Sequence, residues 1–221
     1  RYAIQAALDV VLIVMTVIGG RVIPMFTANG VRGSTPRRHP VIERLAPACA
    51  VALLAVDLVG PPVGLRVVVL VLGALALGAR VLLWRPWQTV RAPLVWVLHA
   101  GYLWIPVYFT LRAAAELGAI PMPIATHALT AGAIGMLTLG MMTRTARGHS
   151  GRPLIADRYE TTAYALIGCA ALIRVFVPLL VPAVYLDAMI ASACLWSAAY
   201  AVYAVRYWPV LTRPRLDGKP G

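Results

Sequence analysis

Val-Gly-Leu-Arg-Val-Val-Val-Leu-Val-Leu-Gly-Ala-Leu-Ala-Leu-Gly-Ala-Arg-Val-Leu-Leu, residues 63–83, decides the fold of this chain. Only Arg66 and Arg80, each near an end, interrupt it. About 20 apolar residues at about 1.5 Å rise cross about 30 Å of hydrocarbon, so the stretch predicts a membrane-spanning helix. Six further apolar runs lie around it, at residues 2–18, 45–59, 93–111, 121–142, 161–181 and 184–207. The run at 45–59 is short and carries Pro47, which makes it the weakest of the set. Pro61-Pro62 and Pro182 mark tight turns between runs. The chain is 61% hydrophobic and 13% charged, against about 45–50% and about 25% in a soluble domain. A soluble globule, a disordered chain and a collagen-like chain are excluded. The expectation is an all-α, polytopic transmembrane bundle of about seven spans, forming one domain over 1–221 with the lipid bilayer as its first partner.

Charge orders the spans. The 221 residues hold 20 Lys+Arg against 8 Asp+Glu, a net of +12. The basic residues sit in every second connection; the intervening ones are neutral or, between the fourth and fifth runs, carry only Arg112 offset by Glu116. Arg21, Arg32, Arg37, Arg38 and Arg44 precede or enter the second run, and Arg80, Arg85 and Arg91 flank the next such connection. Arg144, Arg147, Arg152 and Arg158 crowd the third, and Arg206, Arg213, Arg215 and Lys219 the tail. The positive-inside rule places these connections and the C-terminus in the cytoplasm. The basic pI thus reports topology, and no nucleic-acid partner is expected. Trp84, Trp87, Tyr207 and Trp208 read as interfacial anchors. Cys49, Cys169 and Cys194 lie in three different runs and read as small hydrophobes. The chain begins at Arg1 and enters a span at once, which reads as the C-terminal part of a longer protein.

An ionisable side chain deep in a span costs about 2.5–3.5 kcal/mol, so each one needs a partner or a task. Those in question are Asp9, Asp57, His99, His127, Arg174 and Asp187. His99 lies about 10 Å inside the cytoplasmic end of its span and His127 about 9 Å inside the outer end of the next. Either histidine is a neutral ring hydrogen-bonded across helices or a metal ligand, since imidazole suits iron, copper and zinc. Their difference in depth argues against one iron shared between them. Arg174 is expected to pair with Asp187 or Asp57, to hold a haem propionate, or to lie on a proton path. His39 and His149 lie in arginine-rich connections and read as solvated. Met136, Met141 and Met142 offer soft thioethers to Cu(I), though their helical spacing favours packing. Ala128, Ala131, Gly132, Gly135 and Gly140 smooth one side of the fifth run, suiting close helix packing or the edge of a cofactor.

Three stretches carry a family resemblance: Gly-Gly-Arg-Val-Ile-Pro-Met-Phe-Thr (19–27), His-Ala-Gly-Tyr-Leu-Trp (99–104) and the block from His127 to Leu154. Together the chain resembles the NnrS family of bacterial membrane proteins. The resemblance implies a larger protein of about twelve spans, in the bacterial inner membrane, that binds haem and copper and accompanies denitrification and nitric oxide stress. It also implies further histidines in an N-terminal half beyond this chain. The motif histidines His99, His127 and His149 stand at matching positions, with Arg21, Arg144 and Arg152 as matching basic residues. These expectations set His99, His127 and Arg174 as cofactor-binding residues, and His99, His127 and His149 as metal ligands.

The alternative function is a transporter of a small anion or metal, built on a buried Arg–Asp site and on helices broken at Pro106 and Pro178. No Ser/His/Asp, Cys/His or paired-carboxylate arrangement points to an enzyme class.

Overall fold

The computed structural model describes residues 2–218. Among them there is no strand; the long helices are α1 (Tyr2–Gly30), α2 (Pro40–Val59), α3 (Val63–Leu83), α4 (Pro93–Glu116), α5 (Met122–His149), α6 (Arg158–Leu180) and α7 (Tyr185–Thr212). Within α5 a π-helical stretch, Ala128–Ile134, separates two α-helical parts. Among the described residues six helices are long and apolar enough to cross a membrane. The exception is α2, whose 20 residues include Glu43, Arg44 and Asp57. The two acids are not bare. Glu43 pairs with Arg80 and Asp57 with Arg112.

Helix α4 is central and packs on α1, α3, α5 and α6. In lipid, helices associate through close packing rather than a hydrophobic force, so small residues matter where they meet. Phe109 lies over Gly73, Trp104 over Gly132, Val97 and Leu98 over Gly140, and Leu137 over Gly101. The small face of α5 is thereby filled at Gly132 and Gly140 by α4 side chains and at Gly135 by Trp196 and Ile167, and no cofactor edge is needed to explain these positions. On α3, Val68, Leu75 and Leu82 form an exposed apolar stripe while Leu70 and Leu77 face inward. A stripe of that kind suits lipid.

Helix α1 continues well past its expected end at Ile18, through Gly19, Gly20, Arg21 and Pro24. Pro24 has no N–H, so the Gly20 carbonyl loses its helical donor. Arg38 replaces it, donating from Nη2 to the carbonyls of Gly20 and Arg21 at 3.1 Å each. Pro106 and Pro178 likewise lie inside unbroken helices, which corrects the expectation of broken ones.

The basic connections share one end of the bundle. Arg37 N–H donates to the Leu83 carbonyl at 2.8 Å, and Thr35 N–H to Gln88 Oε1 at 3.1 Å. Leu216 N–H reaches the Ser150 carbonyl at 3.0 Å. Two expected anchors are in fact core residues: Trp84 and Tyr207 are buried, whereas Trp87 and Trp208 are exposed. Cys49 is buried, and Cys169 and Cys194 lie on exposed faces.

Candidate functional site

At the basic end, the stretches around 19–27 and 99–104 and the later part of the block from 127 to 154 fold onto one another. The Tyr102 ring lies against Gly19 and the Arg80 guanidinium against Gly20; a side chain at either glycine would collide. Arg80 is buried. It donates to the Thr16 carbonyl at 2.8 Å, to Tyr102 Oη at 3.0 Å and to Glu43 Oε2 at 2.5 Å. Trp84 packs against Arg80, Tyr102 and His99.

His99 is only 3% exposed. Its Nε2 lies 2.8 Å from Thr27 Oγ1, and the same hydroxyl donates to the Ile23 carbonyl at 2.8 Å. A hydroxyl has one hydrogen. With that hydrogen on the Ile23 carbonyl, the tautomer that fits is the one with its proton on Nε2, donating to Thr27. The lone pair is left on Nδ1, which is buried and has no hydrogen-bond partner. His99 also lines a hollow of about 320 Å³, together with Val81, Thr89, Trp96, Ala100 and Leu103. An imidazole with one nitrogen fixed by a hydrogen bond and the other free is arranged as metal-ligating histidines are.

At the opposite end lies a cavity of about 800 Å³ lined by Gln5, Asp57, Arg66, Arg112, Glu116 and His127 among others. Arg112 Nη2 donates to both Asp57 oxygens at 2.8 and 3.0 Å. Its Nε reaches Glu116 at 3.2 Å, and Arg66 pairs with the same Glu116 at 2.6 Å. Two guanidiniums therefore balance two carboxylates. Asp9 is fully buried nearby; Oδ1 accepts from Gln5 at 3.0 Å and Oδ2 has no partner.

His99 and His127 thus occupy opposite ends of the bundle. His127 is half-buried, with Arg174 close enough for their charges to interact. The expected ion pair of Arg174 is not formed among the described residues: Asp57 is taken by Arg112, and Asp187 is exposed. His149 is exposed at the end of α5, and His39 is exposed in the loop before α2. Among the described residues no three His, Cys, Asp or Glu side chains come together to hold a metal ion. Sequence reasoning missed the buried roles of Arg80, read as flanking a connection, and of Arg112, read as a connection charge offset by Glu116. The spacing of Arg112 and Glu116, four apart on one helix, was the available signal.

A family profile described as NnrS protein matches residues 1–215. The chain belongs to the NnrS family. The NnrS match takes in all of the long helices and every residue of both sites above. No curated protein and no solved structure matches the chain.

The two groups that the NnrS resemblance implies fit unequally. A haem iron needs an imidazole nitrogen with a free lone pair, and the orphaned Nδ1 of His99 beside an apolar hollow meets that need. Copper needs several donors together. Among the described residues no such cluster of His, Cys, Asp and Glu exists, and Met136 is packed in the core.

Proposed function

We propose that this membrane protein binds haem through His99 and serves the bacterial response to nitric oxide, including denitrification. The single observation that carries the reading is the buried, unpartnered Nδ1 of His99, in a chain of the NnrS family. Thr27 holds the ring from its other nitrogen, fixing tautomer and orientation. Trp84 and Leu103 keep the surroundings apolar. Haem iron, when bound, supplies a site for diatomic ligands. The basic connections support a cytoplasmic placement of this end. His127, with Arg174 beside it, belongs to the opposite end and is a separate candidate ligand. His127 and His149 each offer copper one nitrogen.

The test is the absorption spectrum of the protein purified in detergent after haem loading. The wild type is expected to show a Soret band that His99→Ala abolishes or shifts and His127→Ala leaves in place. An identical spectrum for His99→Ala would remove His99 as a ligand. Transport of a small anion or metal, the second reading, has support only from the charged cavity at the opposite end, where Arg112 and Asp57 form the buried pair.

A further inference from the structure

Arg144, on α5 at the basic end, is 6% exposed. Its guanidinium lies 3.8 Å from the centre of the Phe26 ring. Among the described residues it forms no ion pair and no hydrogen bond. Arginine stays charged in proteins, and a charge drawn this far into the protein without a partner is costly, while its nitrogens keep enough access to the surface for an outside acceptor to reach them. The ring of Phe26 offsets a part of that cost but satisfies none of the five N–H donors.

The chain's own acids do not supply the missing partner. Glu43 is held by Arg80, Glu160 by Arg147 and Tyr207, Asp157 by Arg206, and Asp217 by Arg215. Asp57 and Glu116 are bound to Arg112 and Arg66 at the opposite end. Asp9 accepts from Gln5 there, and Asp187 is exposed at the start of α7. All eight acidic residues of the chain are thereby placed, none of them on Arg144.

Position adds a second argument. Phe26, which covers Arg144, and Thr27, which holds His99, are neighbours on α1. Trp96 lines the His99 hollow and packs edge-on to Tyr164, whose hydroxyl bonds Thr143, the residue before Arg144. Arg144 and the His99 hollow are therefore linked through one layer of side chains. Arg152, in the connection after α5, has a buried nitrogen without a partner.

We propose that Arg144 is an oxyanion subsite, taking the carboxylate or phosphate of an amphiphilic ligand seated at the basic end of the bundle. A planar fork of donors suits either group. Two sources share this chemistry: a propionate of a porphyrin in the His99 hollow, which rests on the reading of His99 above, and the phosphate of an anionic phospholipid, which does not.

The test uses the full chain purified in detergent and stripped of lipid. One arm titrates metal-free protoporphyrin IX against its dimethyl ester, read by quenching of tryptophan fluorescence. The other compares phosphatidylglycerol with phosphatidylcholine by native mass spectrometry. The wild type is expected to prefer the acid over the ester, or the anionic lipid over the neutral one. Arg144→Gln should lose about tenfold or more of that preferred affinity, and Arg144→Lys should keep part of it. His99→Ala should leave an acid-over-ester preference intact, because the probe has no iron. Wild-type protein that shows no preference in either arm overturns the proposal without recourse to a variant. A preference that survives in Arg144→Gln overturns it equally.

Discussion

Asp57→Asn tests the balanced charge cluster most directly. Both Asp57 oxygens accept from Arg112 Nη2 at 2.8 and 3.0 Å, and the two side chains are only 9% and 7% exposed. The amide leaves Glu116 as the one carboxylate paired with the two guanidiniums, with Asp9 buried nearby. Removing one partner of a buried pair costs about 3–5 kcal/mol. The lower end, about 3 kcal/mol, applies because Glu116 and Tyr108 stay bound to Arg112. At about 2–4 °C per kcal/mol for a chain of this size, the unfolding midpoint should fall by about 6–12 °C. Tryptophan fluorescence during heating in detergent measures it. Adding Arg112→Gln restores the balance between Arg66 and Glu116, and the double variant should regain much of the loss. A midpoint within about 2 °C of wild type for Asp57→Asn would refute the reasoning.

Other outcomes follow from single contacts. Thr27→Val removes the acceptor for His99 Nε2 and should weaken haem binding by about 10–100-fold, measured by titration of the Soret band. Gly20→Ala puts a carbon onto the Arg80 guanidinium and should destabilise, while Gly78→Ala meets nothing within 4 Å and should stabilise by up to about 1 kcal/mol; thermal midpoints of the pair decide. Asp157 caps α6 and binds Arg206. Burial pushes its carboxyl up, but Arg206 and the Glu160 and Tyr159 amides outweigh that and hold it below the ordinary value. Its contribution is therefore full above the unfolded pKa of about 3.9 and disappears as pH falls through the lower folded value. Asp157→Ala should cost about 1 kcal/mol near neutral pH, and the difference from wild type, followed by thermal midpoint against pH, should close in acid.

The apolar runs were legible because a helix in lipid must be both long and apolar, and Val63–Leu83 was placed to the residue. The ends of α1 and α5 were not, because hydropathy stops at the bilayer while hydrogen bonding continues. Gly20, Pro24 and Arg38 settle where α1 goes, and that depends on a contact across a loop. His99 was legible as an intramembrane imidazole, and Thr27 as its holder was not, since a threonine in a helix gives no sign of its partner. Trp84 sat at the edge of an apolar run and read as an anchor; Arg80, Tyr102 and His99 pack around it and draw it into the core. Arg112 and Glu116 looked like an offsetting pair in a short connection, yet they close the last turn of α4 over a cavity.

The wide turns at Ala128–Ile134 set the phase of everything after them. An α-helix advances about 100° per residue, and a stretch bonded one residue further along carries an insertion relative to ordinary winding. His127 lies before that insertion and Arg144 after it. Removing one residue from the stretch and letting it rewind would leave His127 where it is and swing the lower half of α5 about its own axis. The guanidinium now under Phe26 would then point elsewhere, so the azimuth between the two ends of the bundle is written in those seven residues.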